Sequence, residues 1–181
     1  MDHLRYSGLP YAQQSAALET FVRGEAFLME LLSFIRDEGL SDGWLVSGAI
    51  YNMVWNRLTD RPALENIKDA DVIYFDDRDL SYEAEDVVIQ RFNRRFAAAP
   101  LPVEVRNQAR VHLWFPDKFG IEVAPLSHAL QSLERYASKT HAVAARLLPS
   151  GDMEIAAPFG LDDLFSFRVV PNHVIDNRTA H

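Results

Sequence analysis

The residues that most constrain the fold are Val72-Ile73-Tyr74-Phe75, an apolar run entered directly from two aspartates, Asp69 and Asp71. Four bulky residues in succession, each β-branched or aromatic, read as a buried strand at 71–75. A second short apolar run, "GWLVSG", predicts a strand at 44–47. It passes through a small-residue turn into a helix over 49–58, where Ile50, Met53, Val54 and Leu58 recur at helical spacing. Upstream, Pro10 opens a first helix, and Ala26, Phe27, Leu31, Phe34 and Ile35 place a second before Gly39.

Downstream, a Ser81 cap and the acids Glu83, Glu85 and Asp86 start a long helix to about Ala98, stopped by Pro100 and Pro102. "VEVRNQ" (103–108) and "VHLWF" (111–115) both read as extended, and 127–138 as helix. A hairpin follows, turning at Pro149-Ser150-Gly151-Asp152, then a last helix near Leu161, with a frayed tail from Pro171. Strands interleaved with helices predict an α/β or α+β fold, a mixed sheet with helices packed on it. The 181 residues fit a single domain, 1–181, with a core over about 24–170 and the N-terminal helices and C-terminal tail peripheral.

At 48% hydrophobic and 24% charged, the composition is that of an ordinary globular chain. The formal net charge of −8 argues against an extended nucleic-acid footprint, which depends on clustered Lys and Arg. Absence of cysteine excludes thiolate metal sites and disulfides, and no histidine pair has zinc-ligand spacing. The start lacks the pattern of a secretory leader, and no run of about 18 apolar residues occurs, so the expected location is cytoplasmic, without a membrane span.

Asp69 and Asp71 share one face of a strand, because side chains alternate. Two neighbouring carboxylates repel, and are tolerated when solvated, hydrogen-bonded or bound to a cation. Solvated loop acids are the plainest reading of such a pair; the remaining motifs narrow the others. Counting an EF-hand loop from Asp69 puts Ile73 and Tyr74 where an oxygen ligand and a glycine are needed. An aspartyl-phosphate site would have its apolar strand before the pair, not after it. P-loop, dinucleotide and serine-hydrolase signatures do not occur. What is left is a D-x-D opening a strand, faced by the Ser47-Gly48 turn, where glycine admits a phosphate close to the backbone and a helix N-terminus follows. Glu104, between Val103 and Val105, points to the face opposite its neighbours and can join the aspartates.

At these positions the chain resembles the nucleotidyltransferase (DNA polymerase beta-like) superfamily. The blocks "SGAIYNMVW", "DADVIYFD", "VEVRNQARVHLW" and "APFGLDDLFSFRVVPN" are more closely similar to a group of small bacterial, mostly uncharacterised members, over roughly 44–172. The resemblance implies a nucleotide-phosphate turn at Ser47 and Gly48, and catalytic metal ligands at Asp69, Asp71 and Glu104 for Mg²⁺ or Mn²⁺. It also implies an NTP as partner, with transfer of NMP to an acceptor hydroxyl whose identity it leaves open. Arg106, Asn107 and Arg110 are candidates for contacting the nucleotide, with surface arginines and a strand-end Asn as the plainer reading; Arg57 and Lys68 are weaker ones. Trp55 reads as packing more than as a base platform, His112 as a partnered strand histidine, and Trp114 and Phe115 as core. The turn is Ser-Gly-Ala instead of Gly-Gly or Gly-Ser, and Lys68 stands where an apolar residue is usual. A module that keeps the fold for nucleotide or protein binding without catalysis is the alternative.

Overall fold

The computed structural model describes residues 2–174; most of the tail expected to fray lies outside them. Helices α1 (Tyr11–Arg23) and α2 (Ala26–Asp37) precede strand β1 (Trp44–Val46). Helix α2 starts where the Glu25 side chain accepts the Phe27 N–H. It ends where Gly39, at φ +63°, lets Leu40 N–H reach Ile35 C=O and Gly39 N–H reach Arg36 C=O, a paired closure that satisfies the last carbonyls. After α3 (Gly48–Leu58) come β2 (Ala70–Tyr74), α4 (Tyr82–Arg95) and β3 (Val103–Asn107). The Ser81 hydroxyl caps α4 by accepting the Ala84 N–H.

The segment 111–115, expected to be extended, is instead the start of helix α5 (Val111–Phe119). A 3₁₀ turn at Gln108–Arg110, capped when Asn107 Oδ1 accepts the Ala109 N–H, bends the chain out of β3 and winds it onward to Gly120. Residues 129–135 form a 3₁₀ helix inside the span expected to be helical. Strands β4 (Ala144–Leu147) and β5 (Met153–Ala156) form the expected hairpin, closed by the Leu148 N–H on Asp152 C=O, and α6 (Asp162–Phe165) is a single turn.

The five strands run in the order β3-β2-β1-β4-β5. Strands β2 and β3 are parallel, joined across α4, and the other neighbours are antiparallel. Alternation divides the side chains between two faces. Leu45, Val72, Val105 and Ala145 enter the main core with α1 to α4, and Trp44, Val46, Ile73 and Ala144 enter a smaller one with Ala129 and Leu133 of the 3₁₀ helix. Helix α1 is not peripheral to this arrangement, since its Leu18 and Val22 are wholly buried in the main core. The smaller core covers only part of its face. Toward β3 that face carries the polar side chains described next.

Candidate active site

Asp71 stands between two register partners, Val46 of antiparallel β1 and Glu104 of parallel β3. Asp69 lies two residues back on the same face, just outside β2, where the neighbouring Ala70 N–H is fixed on Pro102 C=O. Each of Asp69, Asp71 and Glu104 offers a carboxylate oxygen within 4.8 Å of the other two. The first two are half-buried and Glu104 is exposed. Burial pushes the Asp71 carboxyl up to about 6, and the charges of Asp69 and Glu104 push the same way against the opposing Arg106. Three convergent oxygen donors, with a carboxyl that resists ionising among like charges, fit a hard divalent cation.

On the β1 side of this cluster the chain turns at Ser47, whose φ of 62° and ψ of −123° form a conformation that side-chain-bearing residues rarely adopt. The conformation is held at both ends: Ser47 N–H donates to Val143 C=O, and Ser47 C=O accepts from Ile50 and Tyr51 N–H. Gly48 begins α3, and a Cβ there would meet Asn52 Nδ2 at 3.6 Å and Tyr51 Oη at 4.0 Å, in ordinary van der Waals contact. The strain thus falls on the serine, and a small side chain at position 48 would fit without displacing its neighbours. Tyr51, one turn along α3, stacks on His141 at 4.4 Å, and burial raises its phenol, with the Asp71 charge adding to the effect.

On the β3 side the face opens into a cavity of about 250 Å³ bordered by Asp71, Glu104 and Arg106. Arg106 shares the face of Glu104 by alternation and is exposed, with one Nη1 bond to Val105 C=O. Asn107 and Arg110 do not join it. The buried Asn107 bonds to both the N–H and the C=O of Asp76, while Arg110 pairs with Glu85 at 2.6 Å and donates to Leu80 C=O. Arg57 faces Glu25 at 3.7 Å, and Lys68 is exposed. Trp55 donates to Leu164 C=O and stacks on Phe167, which makes it a packing residue as expected. His112 lies on α5, not in a strand, and its Nδ1 is enclosed without a hydrogen-bond partner.

Residues 33–181 match the family described as Nucleotidyltransferase. The chain belongs to that family. Among solved structures it is similar to an NMR structure described as revealing a CCA-adding enzyme head domain. The two share 32% identity at a TM-score of 0.72 over 86% of this chain and 76% of that one. Curated proteins give no match. For a nucleotidyltransferase family member, the sheet order and the acidic cluster are now joined to a fold likeness that does not depend on any one motif. Sequence reading missed Tyr51, Gln108, Ser132 and Tyr136 around the site. Only Tyr51 carried a signal, being one helical turn beyond Ser47 and so on the turn's own side of α3.

Proposed function

We propose that the protein transfers a nucleoside monophosphate from an NTP to an acceptor hydroxyl, with Mg²⁺ or Mn²⁺ held by Asp69, Asp71 and Glu104. The observation that carries this reading is the convergence of those carboxylates within 4.8 Å on a nucleotidyltransferase sheet. When bound there, a divalent cation neutralises phosphate charge and favours displacement at the α-phosphorus.

The chain's own groups have separable tasks. The Ser47-Gly48 turn and the first-turn N–H groups of α3 receive the triphosphate, whose charge suits the positive end of the helix. Arg106 approaches the phosphates from the other side. The acceptor oxygen bonds to the α-phosphorus, the bond from that phosphorus to the oxygen leading to the β-phosphate breaks, and pyrophosphate leaves with the electron pair. A carboxylate oxygen of Glu104, the most exposed of the three acids, takes the hydroxyl proton and passes it to water. Asn107 and Arg110 act at a distance by fixing the end of β3. Among the described residues no helix is long and apolar enough to cross a membrane.

The test is thermal unfolding of wild type and Asp71→Asn with each of the four NTPs, with and without Mg²⁺ or Mn²⁺, together with release of pyrophosphate. A ligand at about 100 times its Kd adds about 2.7 kcal/mol. For a chain of this size that is a rise of roughly 5–10 °C. The rise is expected only with metal and only in wild type; no metal-dependent rise with any NTP would defeat the reading.

A further inference from the structure

The two sides of the carboxylate cluster are chemically different. On the β1 side are the strained turn at Ser47 and the N-terminus of α3. Toward β3 is the cavity, which runs from Val46 of β1 past Asp71 to Glu104 and Arg106 and is not lined by Asp69, Ser47 or Gly48. Displacement at phosphorus is in line, so the entering oxygen arrives opposite the leaving pyrophosphate. With the triphosphate at the turn, the entering group comes from the cavity.

The cavity's walls say what kind of group that is. Helix α5 has no fully buried side chain, although Val111, Trp114 and Phe115 make one of its faces strongly apolar. That face borders the cavity, with Val123 beside it and Ile73 and Tyr136 on the sheet side. The apolar face of α5 therefore meets a space where a core would normally provide side chains. Apart from the acids and Arg106, the polar groups there are Gln108, Ser132, Arg135 and the Tyr136 phenol; Gln108 and Ser132 are buried and bond to Arg106 C=O and Ala129 C=O, and Arg135 donates to Ala124 C=O. At about 250 Å³ the cavity lies at the small end of ligand pockets. That suits a body of one or two rings better than several nucleotides of a polymer.

Resting on the nucleotidyl-transfer reading, we infer that this cavity is the acceptor pocket and takes a compact alcohol or phenol with a flat apolar body, placed between Trp114 and the sheet with its hydroxyl toward Glu104. The specificity of the enzyme then lies in α5 and the 120–126 segment, not in the acidic cluster.

The test follows the Trp114 indole and Val123 methyl signals by NMR. The probes are 2-(naphthalen-2-yl)ethanol, glycerol, tetra-adenylate and the α,β-methylene analogues of the four NTPs with Mg²⁺. The naphthyl alcohol is expected to give saturable shifts that persist with a nucleotide analogue bound, and glycerol none. Val123→Trp, on a part-exposed segment, and Ser132→Trp, from the cavity's other wall, should each weaken the alcohol at least tenfold while the analogue's Kd stays within twofold. If the analogue displaces the alcohol and both filled variants weaken the analogue tenfold, the cavity holds the base and the inference is overturned. Saturable shifts of Trp114 by tetra-adenylate, or none by the alcohol, overturn it equally. Binding of the alcohol to a wild type that binds no analogue would leave the pocket standing and remove the nucleotide reading instead.

Discussion

Asp71 carries the clearest conflict between fold and function at the scale of a single residue. Its carboxyl, raised from 3.8 to about 6 by burial and by two like charges, holds a proton more tightly folded than unfolded. Below the unfolded value both states are protonated and the group costs nothing. As pH rises from about 4 to 6, the unfolded chain ionises first and stability falls; above 6 the penalty is complete, on the order of 1–3 kcal/mol. A carboxamide at this position mimics the protonated acid, so Asp71→Asn should unfold at the same temperature as wild type near pH 4 and several degrees higher at pH 7.5 without metal. Saturating Mg²⁺ with nucleotide should close or reverse the gap. A difference independent of pH, measured by thermal scans across pH 4–8, would show that the site imposes no such cost. The placement of this residue beside Asp69 and Glu104 was legible in the sequence, because alternation alone puts Asp69 and Asp71 on one face and Glu104 opposite its valines. The raised carboxyl was not, because its main cause is burial within the folded sheet, with a smaller part from the β2–β3 register that sets Glu104 beside Asp71.

Between elements, the join of α4 to the end of β3 depends on one buried acid. Glu85, in the first turn of α4, accepts the Asn107 N–H at 2.8 Å with one oxygen and Arg110 at 2.6 Å with the other. Asn107 in turn holds Asp76 of the loop between β2 and α4. Glu85→Ala would leave the part-buried Arg110 guanidinium without its counter-charge and the Asn107 N–H unpaired, a loss of about 3 kcal/mol by urea unfolding. Glu85→Gln, which keeps one acceptor, should lose less. Equal losses for the two would place the contribution in packing and not in charge. This join explains why Asn107 and Arg110 looked like ligand contacts: a short-range reading sees their closeness to Glu104, while their partners lie 22 to 31 residues away in sequence. Helix α5 was misread for a related reason. "VHLWF" fits a strand by composition, and Val111, Trp114, Phe115 and Phe119 fit a helix by spacing, so the run alone is ambiguous until the Asn107-capped turn bends it away from β3.

At the scale of the whole molecule, the main core and the carboxylate cluster occupy opposite faces of one sheet. Helices α1 to α4 fill one face; the carboxylates and the cavity occupy the part of the other that the 3₁₀ helix leaves uncovered. Helix α1 belongs fully to the first. Leu18 and Val22 are buried among α2 and α3, Gln14 bonds Asp162, and Tyr6 packs on Phe165. Removing residues 2–24 deletes those anchors and uncovers apolar surface on two other helices. Full burial of a Leu or Val contributes about 1.5–3 kcal/mol. Against a typical total of about 5–15 kcal/mol, the shortened chain should lose its cooperative urea transition. Leu18→Ala offers the graded version, with an expected loss of about 2–5 kcal/mol. Because Leu18 lies in the main core, on the face opposite the carboxylates, this variant should keep the full metal-dependent NTP shift, measured relative to its own lower midpoint. A shortened chain that unfolds cooperatively at the wild-type midpoint would put α1 outside the core. A Leu18→Ala protein that folds but loses the NTP shift would mean that the two faces are coupled through the sheet.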